Sequence, residues 1–176
     1  YVYASNPPLT YGNASAGLVE IQTQDELNTS NIQVAASLAG VGILSSNVIN
    51  EKSFVQAYGN IQFSKPFVEL NRSNLPNLNA FSNKDVGLNY HHELTESLRI
   101  NFFNYLIDES YSANAGTLNY WGTAEGGRLR NFSIGNVELR GNNGVTSLNM
   151  GFDTRKTNYG FGNIDINNKA RDLYMA

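Results

Sequence analysis

The chain has no cysteine among its 176 residues. That single absence removes disulfide staples, zinc–thiolate centres and thiol nucleophiles together. Charge is scarce too. Asp, Glu, Lys and Arg make up 15% of the chain, against about 25% in an average soluble protein. The net charge is −3, and the densest basic clusters are the pairs Arg128 with Arg130 and Arg155 with Lys156. Nothing here neutralises a run of phosphates, so nucleic acid is not an expected partner. Long hydrophobic runs are also missing. The most apolar stretch, Ile32 to Ile49, is interrupted by Gln33, Ser37, Ser45, Ser46 and Asn47, too polar for a spanning helix. No transmembrane segment is expected.

Motifs of catalysis are absent as well. There is no glycine-rich run ending in Gly-Lys-Ser or Gly-Lys-Thr, and no Gly-x-Ser-x-Gly. His92-Glu93 begins a His-Glu-x-x-His motif, but position 96 is Glu. Neighbouring carboxylates occur at Asp108 with Glu109 and at Glu93 with Glu96, whereas a glycosidase needs two opposed across a cleft. No residue is assigned a catalytic role, and an enzyme is not expected.

Asparagine fills the place of the missing charge, with 26 residues, alongside 16 Gly, 10 Tyr and 9 Phe. Polar but weakly charged chains without cysteine are typical of exported bacterial β-proteins. A chain that begins at Tyr1 without a leader fits a mature product after signal removal, and a trimmed piece would look the same. The expected location is extracellular or at the cell surface.

Strand periodicity dominates the second half. Leu98, Ile100 and Phe102 alternate with Arg99, Asn101 and Phe103, and Leu118 and Tyr120 oppose Asn119 and Trp121. Leu148, Met150 and Phe152 alternate with Asn149, Gly151 and Asp153. Such period-two runs predict half-buried strands. Between Ile134–Arg140 and Leu148 stands Gly141-Asn142-Asn143-Gly144, and Asn-Gly between alternating runs predicts a tight hairpin. One more strand is predicted over Tyr159 to Ile166, entered through Thr157-Asn158. Glycines 151, 160 and 162 suggest a curled rather than a flat sheet. The first half is less regular. Strands are predicted at Leu18–Thr23 and at Ile61–Leu70, the latter interrupted by Pro66. Ile32–Ile49 reads equally as helix or strand, Asn71–Asn83 as a loop, and Leu94–Leu98 leaves room for one helical turn. The expectation is a single all-β domain over residues 1–176, an antiparallel barrel or sandwich with Gly-rich curved strands and one short helix at most. Residues 1–16 would form an extended N-terminal arm, held open by Pro7-Pro8.

Three ligand chemistries compete for the site. The two histidines are adjacent in Tyr90-His91-His92-Glu93. On a strand they would face opposite ways, so one could ligate haem iron, with Tyr90 as an oxygen alternative. Tyr120 and Trp121 offer an aromatic platform for carbohydrate, since such rings bring large area at little rotamer entropy. The third chemistry is main-chain pairing, in which an exported subunit joins its neighbours by strand addition. The arm residues Tyr1, Val2, Tyr3, Pro7, Pro8 and Leu9 are the candidate donor. Asn163 to Asn167 resembles a calcium loop only superficially, because its isoleucines alternate as in a strand and the required glycine is missing. No metal site is assigned.

From Gly116-Thr117-Leu118-Asn119-Tyr120-Trp121-Gly122-Thr123-Ala124 the sequence proceeds to Ser147-Leu148-Asn149-Met150-Gly151-Phe152-Asp153-Thr154-Arg155-Lys156 and Gly162-Asn163-Ile164-Asp165-Ile166. These segments, about residues 115–166, resemble the barrel domain of transferrin-binding-protein-like bacterial surface proteins, a group that includes haemophilin-type secreted haem scavengers. The order Phe152-Asp153 departs from the Asp-Phe usual there. The resemblance implies a small up-and-down barrel at a bacterial surface and transfers no ligand-binding residue. The leading reading is therefore an exported structural or adhesive subunit, such as a filament subunit, joined to copies of itself or to another surface protein. A secreted haem-binding barrel and a carbohydrate-binding adhesin are the alternatives.

Overall fold

A computed structural model describes residues 2–3, 18–19, 27–117, 120–142 and 144–175. The protein is all-β. Two short strands, β1 (Val2–Tyr3) and β2 (Leu18–Val19), pair antiparallel with each other. The other eight form one antiparallel sheet: β3 (Asn31–Ser37), β4 (Gly40–Asn50), β5 (Ser53–Phe63), β6 (Leu78–Glu93), β7 (Leu98–Thr117), β8 (Tyr120–Gly141), β9 (Gly144–Phe161) and β10 (Ile164–Met175). Spatial order follows chain order from β3 to β10, an uninterrupted meander whose end strands do not meet. The sheet is open. Within this sheet every connection but one is short, and the exception carries α1 (Lys65–Leu70), the one helix among the described residues.

The predicted strand at Ile61–Leu70 is corrected by that helix. Pro66 lies in its first turn, where a missing N–H costs nothing and the fixed φ suits a helix. Ser64 does not cap the helix with its side chain. Instead its Oγ accepts the Phe81 N–H at 2.6 Å and its own N–H donates to the Phe81 carbonyl, stitching the helix start to β6. Val68 is then buried at 1% exposure.

Other expectations shift. Ile32–Ile49 is a hairpin, with Ile32 opposite Ser45 and Val34 opposite Ile43. The alternation through 118–121 crosses a chain reversal, since Thr117 pairs with Tyr120. Likewise Tyr159–Ile166 is two strands joined at Gly162-Asn163, with Gly162 at φ 62; Thr157-Asn158 lies inside β9. Gly151 and Gly160 lie in unbroken register, because β9 keeps its pairing with both neighbours. The hairpin at 141–144 forms as expected but one residue early: Gly141 already pairs with Gly144, and Asn142 lies in the turn.

Candidate functional site: two faces of opposite chemistry

Because side chains alternate along a strand and align across it, the register sorts the sheet into two faces. Phe54, His91, Asn101, Asn136 and Asn149 are directly opposite one another on successive strands β5 to β9. They share one face. Their hydrogen bonds run as a ladder: His91 Nδ1 to Asn101 Oδ1 at 2.6 Å, Asn101 Nδ2 to Asn136 Oδ1 at 2.9 Å, Asn136 Nδ2 to Asn149 Oδ1 at 2.7 Å. The Asn101 amide donates onward, so its oxygen accepts and Nδ1 of His91 carries the proton. The His91 ring also stacks on Phe54 at 5.1 Å.

The same face holds the charges that pair. Arg99 meets Glu93 at 2.7 Å, Arg140 meets Glu138 at 2.6 Å, Arg155 meets Asp172 at 3.4 Å, and Arg128 meets Glu109. Arg130 grips Asp153 through Nε at 3.0 Å and Nη2 at 2.9 Å, the fork geometry that suits a carboxylate. All five ion pairs among the described residues lie here. Further along, Asn60 donates to Asp85 at 2.8 Å and Gln56 reaches Ser46 at 3.1 Å.

The opposite face is apolar. Val55, Tyr90, Phe102, Gly135, Met150 and Met175 form one row across it. Flanking rows add Ile32, Val34, Ile43, Val86, Leu88 and Ile100, then Leu106, Val137, Leu148, Phe152 and Leu173. Many of these side chains are open: Val34 is 75% exposed and Leu173 70%. Burial runs the other way. The buried strand residues Ser46, Phe54, Asp85, His91, Ile107, Ala124 and Asp153 all sit on the polar face, and Ser53 at a strand end is the exception. Crowding on one side and opening on the other is what coiling a twisted sheet around its polar face produces.

Three aromatic rings lie on directly opposed glycines, the first two on the polar face and the third on the apolar face. Tyr58 covers Gly87, Tyr111 covers Gly126 and Trp121 covers Gly116. A Cβ at Gly87 would stand 2.1 Å from the Tyr58 ring.

The sequence-derived candidates separate across these faces. His91 lies on the polar face and is 6% exposed. Tyr90 and His92 lie on the apolar face with their rings stacked at 6.2 Å. The His pair therefore does not converge on one ligand. Among the described residues, no group of three or more His, Asp or Glu is placed to hold a metal. Trp121 is 68% exposed, and only the backbone of Tyr120 is described. Of the arm, Val2–Tyr3 pairs with Leu18–Val19, while Tyr1, Pro7, Pro8 and Leu9 lie outside the described residues. Sequence reasoning missed the asparagine ladder, although Asn101, Asn136 and Asn149 each sit in a recognisable period-two run. Their spacing has no meaning until the register puts them side by side.

No protein-family model matches the chain, and neither a curated protein nor a solved structure is similar to it. No helix among the described residues is long and apolar enough to cross a membrane.

Proposed function

We propose that this is an exported bacterial surface protein that acts by assembly, its open sheet being completed by strands added at its edges. One observation carries the reading: among the described residues, β3 is an edge strand, and its own sequence carries no defence. Asn31-Ile32-Gln33-Val34-Ala35-Ala36-Ser37 contains neither charge nor proline, and every residue in it is exposed. Natural edges are normally blunted by charge, proline or a bulge, because a bare row of N–H and C=O groups recruits another strand. The β3–β4 register has no bulge. At the other end β10 offers a second edge of 12 residues.

Main-chain hydrogen bonds to an added strand supply the affinity, and alternate side chains supply the register. The added strand comes from another copy, with the Tyr1–Thr10 arm as candidate donor, or from another surface protein. Gel filtration with light scattering, run as a concentration series, tests this. Assemblies should form, and Val34→Pro, which spoils the β3 edge, should dissolve them. A protein that stays monomeric at high concentration, and is indifferent both to Val34→Pro and to removal of residues 1–10, overturns the proposal.

A further inference from the structure

We infer that the apolar face lies against lipid acyl chains, so that these strands form part of the wall of a membrane-spanning β-barrel with the polar face turned inward. The inference rests on the strand-joined reading above, because an open sheet needs added strands to close. In a soluble barrel or sandwich the sheet coils around its apolar side and shows water its polar side. Here the arrangement is inverted. The buried side holds Asp85, His91, Asp153 and the asparagine ladder, while the open side carries Val34, Val86, Leu148 and Phe152. Apolar outside and polar inside is the arrangement of a barrel in a bilayer.

Dimensions agree. From Leu98 to Leu106 on β7 the apolar face advances eight residues, about 27 Å along the strand at ~3.4 Å per residue. Tilted by about 40°, that gives a band of roughly 20 Å, close to the ~25 Å belt of such barrels. The band also has a border. On one register row of the apolar face stand Lys84 and Asp108, then Leu129, Lys156 and Lys169, a line of charge where an acyl region would give way to headgroups and water. Two polar side chains inside the band are satisfied within it, as a medium without water requires: Asn104 donates to Asn131 Oδ1 and to Ser133 Oγ, both at 2.8 Å. The one charge on the Leu106 row, Arg171, stands on the edge strand β10, next to the charged border.

The cysteine-free chain permits a direct test. Single-cysteine variants Leu148→Cys and Ser147→Cys on β9, and Ile43→Cys and Leu44→Cys on β4, place neighbouring probes on opposite faces. Leu44 is apolar but belongs to the polar face, so the pair separates facing from side-chain hydrophobicity. The full chain is reconstituted into phosphatidylcholine vesicles, labelled with an environment-sensitive fluorophore, and remeasured in vesicles of brominated lipid. Quenching severalfold stronger at 148 and 43 than at 147 and 44 is expected. Equal quenching at all four positions, a soluble protein that does not enter vesicles, or cross-linking of 148 to a second soluble copy overturns the inference. Failure of Val34→Pro to change assembly while the quenching still alternates would remove closure by added strands and leave only the facing of these strands toward lipid.

Discussion

At the scale of single residues, stability comes from pairs that the register makes possible. The Tyr58 ring lies where a Gly87 side chain would be. Gly87→Ala should displace it and cost ~1 kcal/mol, the worth of a good cross-strand aromatic contact. Chemical denaturation measures this. In a double-mutant cycle with Tyr58→Ala the two losses should fall short of additive, because both remove one contact. Asn101 is the middle of the ladder and is bonded on both sides. Asn101→Leu leaves the His91 N–H and the Asn136 oxygen without it. A loss of about 1–3 kcal/mol is expected, the penalty for stranded polar groups. Arg130→Ala strips the fork from Asp153, which is 4% exposed, and should cost a similar ~1–3 kcal/mol in the same assay. An exposed pair such as Arg155 with Asp172 should contribute under about 1 kcal/mol when either partner is truncated.

At the scale of elements, legibility followed periodicity. The alternation in Leu98–Phe103 and Leu148–Asp153 marks β7 and β9 because each strand has one apolar and one polar face. The same regularity hides the turns. Thr117 to Tyr120 and Phe161 to Ile164 reverse direction while hydrophobic alternation continues through them, and nothing in residue type alone separates such a reversal from a longer strand. Pro66 was ambiguous for another reason. It breaks a strand and opens a helix equally well, and only the Ser64–Phe81 stitch decides between them. At Gly162, φ 62 lies in the left-handed region, so Gly162→Ala should destabilise the β9–β10 hairpin by roughly 1 kcal/mol. Hydrogen exchange would show that loss as faster exchange confined to β10, the edge partner of β9, with β6 to β8 unaffected.

At the scale of the whole molecule, eight strands in simple succession build a surface with two chemistries. Fold class was legible, since composition and alternation alone lead to an all-β antiparallel domain. The facing was not. Period two shows that each strand has two sides, but which side is crowded depends on how the sheet coils, and that follows from pairings between residues far apart in sequence. His91 and His92 mark the boundary: that a single step along a strand sends them to opposite faces was legible, but that His91 is the one on the crowded side was not. The inversion of those faces is the central claim. Spin labels placed at each position from Val145 to Arg155 along β9, in bilayers, test it most directly through accessibility to oxygen and to a water-soluble nickel chelate. The account predicts oxygen maxima at 148, 150 and 152, with nickel maxima at the residues between them. A profile without period two, or one with oxygen favouring 147, 149 and 151, would contradict it.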